Sequence, residues 1–133
     1  MAEIGLRPRM LVKDVMTSPV ITIDENGSVR KVAQIMDKND VGCVIVTSRD
    51  GKPVGIITER DLVRRVLTKN TPVGRFKAKH VMTSPLLTID PDETLAEAAR
   101  KMSKLNVRRL GVVYKGNLVG FVSSKDILSV TPE

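Results

Sequence analysis

Apolar and polar positions follow two rhythms along this chain, and the same succession of rhythms is met twice. The β-branched run Val20-Ile21-Thr22-Ile23 predicts a short strand, and Asp24-Glu25-Asn26-Gly27 predicts a turn. Ser28 is suited to cap a helix, and Val29, Val32, Ala33 and Met36 then fall at i, i+3, i+4 and i+7, one apolar stripe. Val44-Ile45-Val46 is continuous and not alternating, the pattern of a strand covered on both faces. Asp50-Gly51 turns the chain into a further strand, Val54-Gly55-Ile56-Ile57. Thr58 opens a second helix with Leu62, Val63, Val66 and Leu67 as its stripe.

After a linker containing Pro72 and Gly74 the order is the same. Leu86-Leu87-Thr88-Ile89 predicts the strand and Asp90-Pro91-Asp92-Glu93 the turn. Thr94 with Glu97 fits a capping box at the head of a helix whose stripe is Leu95, Ala98, Ala99 and Met102. Leu110-Gly111-Val112-Val113, the turn Lys115-Gly116-Asn117 and Leu118-Val119-Gly120-Phe121-Val122 predict a hairpin, and Ser123 starts a last helix through Asp126, Ile127 and Leu128.

The recurrence extends to identities. Val15-Met16-Thr17-Ser18-Pro19 returns as Val81-Met82-Thr83-Ser84-Pro85, and Thr22-Ile23-Asp24 as Thr88-Ile89-Asp90, both 66 residues later. One residue is lost at the second hairpin, where loops absorb deletions cheaply, and the offset falls to 65. The chain is therefore α/β, two βαββα repeats: residues 12–67, a linker over 68–77, and residues 78–130, with an N-terminal extension at 1–11. The extension either lies along the second copy's sheet edge or frays. One copy alone leaves apolar helix faces in water, and a pair related by a pseudo-twofold axis covers them.

Composition narrows the function classes. At 133 residues, 41% hydrophobic and 28% charged, the chain has the make-up of one folded domain, not of a disordered segment. No apolar run approaches the roughly 20 residues that cross a bilayer, and the opening MAEIGLRPRM lacks the apolar core of a signal peptide, so the expected location is cytoplasmic, without a membrane. The single Cys43 lies in an apolar run and is expected in the core. With one His, His80, and one Cys there is no metal-ligand set and no nucleophile–base pair, so neither a metal nor catalysis is expected. A net charge of +7 favours anionic partners. Aromatics are too few, at 2%, to make the stacking platforms of a single-strand binder, and the only local basic run is Arg75-Phe76-Lys77-Ala78-Lys79-His80.

Candidate chemistry sits at the end of each copy. Gly55-Ile56-Ile57-Thr58-Glu59-Arg60-Asp61 matches Gly120-Phe121-Val122-Ser123-Ser124-Lys125-Asp126: a Gly in the strand, a hydroxyl at its close, and an Asp three residues on. Such a hydroxyl-x-x-acid pattern makes a capping box, which is its structural role. An ionised carboxylate at a strand-to-helix junction also suits the two hydroxyls of a ribose. Ahead of the middle strand the second copy has Arg108-Arg109, whose planar forks suit phosphate, where the first has Gly42-Cys43.

The Val-Met-Thr-Ser-Pro openings, the Val-Gly-Ile-Ile-Thr-Glu-Arg-Asp-Leu ending and the Val-Arg-Arg-Leu-Gly-Val-Val stretch resemble the cystathionine-beta-synthase (CBS) domain, present as a tandem pair over about residues 12–129. The resemblance implies two clefts between the repeats that bind AMP, ADP, ATP or S-adenosylmethionine. It also implies a homodimer of pairs and a regulatory, non-catalytic role, the adenine nucleotide being a regulatory ligand and not a cofactor. Asp61 and Asp126 correspond to the ribose-binding aspartates, with Thr58 and Ser123 beside them. Thr17 with Val20 and Ile21, and Thr83 with Leu86 and Leu87, correspond to the adenine-pocket segments. One cleft is then expected to hold Thr83, Leu86, Arg108, Arg109, Thr58 and Asp61, and the other Thr17, Val20, Ile21, Gly42, Cys43, Ser123 and Asp126. Two other functions compete with nucleotide sensing. Nucleic-acid binding, motivated by the charge, would fall steeply with salt. A ligand-free adaptor would hold its protein partner regardless of nucleotide.

Overall fold

The computed structural model describes residues 10–130, so the path of residues 1–9 lies outside the described residues. In chain order the elements are α1 (Val12–Val15), β1 (Thr22–Asp24), α2 (Val29–Asn39), β2 (Cys43–Thr47), β3 (Pro53–Thr58), α3 (Glu59–Leu62), a π-helical turn (Val63–Leu67), a 3-10 turn (Val73–Arg75), α4 (Ala78–Val81), β4 (Thr88–Ile89), α5 (Leu95–Leu105), β5 (Arg109–Tyr114), β6 (Asn117–Ser123) and α6 (Ser124–Ser129). They form two three-stranded sheets, β1-β2-β3 and β4-β5-β6. In each sheet the first pair is parallel, joined by the long helix, and the second is an antiparallel hairpin.

The compact units do not coincide with the sequence copies. One comprises residues 21–86, and the other joins residues up to 20 with those from 87 on. The core of the 21–86 unit gathers Ile23, Val29, Val32, Met36, Val44, Val46, Ile57 and Val66, and it also takes Ala78 and Val81 from the helix that opens the second copy. In the other unit Val12, from the opening of the first copy, is fully buried among Ile89, Leu95, Leu110, Val112 and Val122. Backbone bonds fasten the exchanged helices at equivalent points. The amides of Val12 and Lys13 donate to the carbonyls of Glu93 and Pro91 at 2.8 and 3.0 Å; those of Ala78 and Lys79 donate to Gly27 and Glu25 at 2.8 and 2.9 Å.

Local chemistry accounts for most boundaries. Ser28 Oγ accepts from the Lys31 amide and Thr94 Oγ1 from the Glu97 amide, both at 3.1 Å, so α2 and α5 begin where expected. Both helices end on a left-handed residue that tolerates it, Asp40 and Asn106. The continuous run of β2 is buried from Cys43 to Val46. Three expectations shift. The first strands start at Thr22 and Thr88, not at Val20 and Leu86, because residues 17 and 83 are already bonded to a different strand and the intervening residues make the connection. The capping box at Thr94 is half formed: the Glu97 carboxylate turns to Arg100, while the Thr94 backbone bridges to Leu11. The helix opened at Thr58 widens after one turn into π-helix, which rotates its stripe. Val66 stays buried, whereas Val63 and Leu67 are 51% and 69% exposed.

Candidate functional site

Each unit carries one strand-to-helix junction, and the opening segment of the other copy lies against it. In the 21–86 unit, Thr83 and Ile56 exchange backbone bonds of 2.8 and 3.0 Å. The approach requires glycine at 55, where a Cβ would stand 2.7 Å from Met82 Sδ and 2.8 Å from the Thr83 carbonyl oxygen. In the other unit Thr17 and Phe121 exchange bonds of 2.8 and 3.1 Å, and a Cβ on Gly120 would meet Met16 Sδ and the Thr17 carbonyl oxygen at the same distances. The Met-Thr pair of one copy and the strand glycine of the other are thus one packing device, built twice.

The capping boxes are present at both junctions. Asp61 Oδ2 accepts from the Thr58 amide at 2.9 Å and from the Thr58 hydroxyl at 3.2 Å, and the Asp61 amide donates to Thr58 Oγ1 at 3.3 Å. Asp126 Oδ2 accepts from the Ser123 amide at 2.8 Å, and the Asp126 amide donates to Ser123 Oγ at 3.2 Å. Each box uses one carboxylate oxygen and fixes the direction of the other.

The second oxygens differ. Asp61, with a side chain only 12% exposed, receives the Thr83 hydroxyl on Oδ1 at 3.3 Å and has Arg65 Nε 3.7 Å from the same atom. Arg65 also donates through Nη1 to the carbonyl oxygens of Met82 and Val81, at 2.8 and 3.5 Å. Asp126 is half-buried, and its Oδ1 accepts no hydrogen bond among the described residues. The position equivalent to Arg65 is Val130.

The structure brings Thr58, Asp61 and Thr83 into direct contact. It sets Thr17 opposite Phe121, two residues before the end of β6 at Ser123, from which the chain leads on to Asp126. Ile21 and Leu87 are half-buried: their carbonyls accept from Ile45 at 3.1 Å and Gly111 at 2.9 Å, and part of each side chain packs on a core. Val20 and Leu86 are half-buried. Arg109 pairs across the sheet with Ser123, and the exposed Arg108 accepts the Ser124 amide on its carbonyl at 2.9 Å; Gly42 does the same for Glu59 at 3.1 Å, with Cys43 opposite Thr58. Sequence reasoning missed Arg65 and the two methionines. Arg65 has no counterpart in the other copy, so the repeat gave no hint, and only its i+4 spacing from Asp61 marked it. The methionines were visible as repeat residues, yet their partner glycines lie far off in sequence.

Two grooves lie elsewhere, one per unit. The first, of about 500 Å³, runs beside Met36, Leu62, Val63 and Leu67 with Asp37 and Glu59 on its rim. The second, of about 350 Å³, runs beside Met102, Val107, Ile127 and Leu128. Neither includes Asp61 or Asp126.

A family model described as CBS domain matches residues 12–68 and again 78–133. A CBS domain-containing protein of Bacillus subtilis, YhcV, is 32% identical over 116 residues, covering 87% of this chain and 81% of that protein. An uncharacterised protein of Methanocaldococcus jannaschii is 36% identical over 129 residues; the match takes in 88% of this chain but spans only 31% of that relative's length. Among solved structures, the CBS domain pair of protein MJ0100, in complex with 5′-methylthioadenosine and S-adenosyl-L-methionine, superposes with a TM-score of 0.82 at 34% identity, over 92% of this chain and 96% of that one.

Proposed function

Since the chain belongs to the CBS domain family, we propose that it is a regulatory module that binds adenosyl ligands (AMP, ADP, ATP or S-adenosylmethionine) at Asp61 and Asp126 and passes their level to a protein partner. The observation that carries this reading is the Asp126 junction. A capping box holds one carboxylate oxygen in place and leaves the other without a hydrogen bond among the described residues, beside a segment that contains Thr17. An oriented carboxylate with an open oxygen suits a ribose diol, since hydrogen bonds to an ionised acceptor contribute about 1.5–3 kcal/mol each. Complexes of the similar MJ0100 pair with two adenosyl ligands support the same ligand class. Thr58 and Ser123 act by fixing the carboxylates. Thr17, Val20 and Ile21, and Thr83, Leu86 and Leu87, line the purine pockets, and Arg108 with Arg109 receives phosphate. The role is non-catalytic, in the cytoplasm.

Titration calorimetry with AMP, ATP and S-adenosylmethionine tests the reading. Asp126→Ala is expected to weaken or abolish one binding event, with Asp61→Ala weakening the other. Absence of heat and of thermal stabilisation with every ligand at millimolar concentration would remove it. We also propose a homodimer, supported by the exposed apolar side chains of Val63, Leu67 and Leu128.

A further inference from the structure

The two junctions share a capping box but differ in how many acceptor sites their carboxylates have left. An ionised carboxylate offers about four lone-pair sites. At Asp61 three of these accept hydrogen bonds and Arg65 stands at ion-pair distance from the fourth. The Thr58 amide and hydroxyl use Oδ2, while the Thr83 hydroxyl at 3.3 Å and Arg65 Nε at 3.7 Å occupy the side of Oδ1. At Asp126 only the Ser123 amide is bound among the described residues, and Oδ1 is open. A ribose diol needs two sites. Asp126 has them, and Asp61 must first release Thr83 and Arg65.

Resting on the adenosyl reading above, we propose that Arg65 makes the two sites unequal: it acts as an internal occupant of the Asp61 site, so that a nucleoside fills the Asp126 site first. Arg65 is well placed for this. Its Nη1 is anchored on the Met82 carbonyl oxygen at 2.8 Å, which holds the guanidinium against the Asp61 carboxylate and ties the Val81–Thr83 segment to the helix. The side chain is 47% exposed, so it can leave toward water when a ligand arrives. Its counterpart, Val130, has no donor to offer Asp126. Arg65 is therefore a positioning residue that sets order of filling, not a ligand contact.

The test uses adenosine, whose neutrality removes any direct attraction to the arginine. Asp126→Asn leaves the Asp61 site, and Asp61→Asn leaves the other; equilibrium dialysis gives the affinity of each. The Asp61→Asn protein is expected to bind adenosine more tightly than the Asp126→Asn protein. Adding Arg65→Gln to Asp126→Asn should tighten binding roughly three- to fivefold, the scale of one partly exposed ion pair. Salt gives a readout that a purely structural role would not move. Raising it from about 0.05 to 0.5 M should tighten adenosine binding to Asp126→Asn by screening the Arg65–Asp61 pair, and should leave the Arg65→Gln version flat. Equal affinities at the two sites, or an Arg65→Gln change that leaves binding as it was or weakens it, would overturn the proposal while leaving the adenosyl reading intact. If neither single-site protein binds adenosine, that reading falls and this one with it. Should Arg65→Gln fail to fold, the salt response of the Asp126→Asn protein decides alone: no tightening with salt overturns the proposal.

Discussion

At positions 55 and 120 a hydrogen atom stands where a methyl group would end the packing of both junctions. Glycine in a strand ordinarily costs about 0.5–1 kcal/mol relative to alanine, so Gly120→Ala would help if space were free. It is not. The added carbon would lie 2.8 Å from the Thr17 carbonyl oxygen, a backbone atom that accepts from the Phe121 amide, and 2.7 Å from Met16 Sδ. A methionine end can swing aside, but the carbonyl cannot move without breaking the bridge. The clash therefore wins, and Gly120→Ala and Gly55→Ala are each expected to destabilise the fold by about 1–3 kcal/mol. Gly74, with nothing within 4 Å and no left-handed φ, serves as the control, and its alanine variant should melt within a degree or two of the parent. Thermal unfolding monitored by circular dichroism separates the cases. Near-equal melting of all three variants would show that the opening segments do not press on the strands.

Helices and strands were legible where a single local period specifies them. The stripe Leu95, Ala98, Met102 is buried and the β2 run is buried throughout, because a 3.6 or continuous pattern needs no distant partner to be read. Elements set by distant partners were not. Nothing near Val12 or Val81 tells which sheet will bury it, and nothing near Val63 announces that the helix opened at Thr58 will widen and turn Val63 and Leu67 outward. The candidate site divides the same way. Thr58, Asp61, Ser123 and Asp126 were visible as local spacing. The contact of Asp61 with Thr83 and Arg65 depends on a strand crossing and on a residue that breaks the repeat. The outward face of the π turn belongs to the proposed dimer. Leu67→Asp combined with Leu128→Asp is expected to leave melting nearly unchanged, since both side chains are 69% exposed, and to shift sedimentation from dimer to monomer. A dimer that survives both charges would place its interface elsewhere.

At the scale of the whole chain, duplication and folding have different boundaries. A sequence copy is contiguous, but each compact unit borrows its opening helix from the other copy. A first copy alone, residues 12–68, lacks Ala78 and Val81, both fully buried in the core that the copy otherwise supplies. It also leaves Val12 with none of the core that covers it in the full chain. Burial of one valine is worth roughly 1.5–3 kcal/mol, and small domains have only about 5–15 kcal/mol in all. Losing two such contacts and the backbone bonds that fasten α4 therefore removes a large share of that stability. The isolated copy is expected to be unfolded as a monomer, or to recover order only by exchanging opening helices with another copy of itself, which makes its helicity rise with concentration. Mixing residues 12–68 with residues 69–133 should restore structure, because the missing helices are then supplied in trans. Far-ultraviolet circular dichroism of each half and of the mixture, across a range of concentrations, distinguishes this from two self-sufficient repeats: a first half that melts cooperatively, at a temperature independent of its concentration, would mean that the exchanged helices are dispensable.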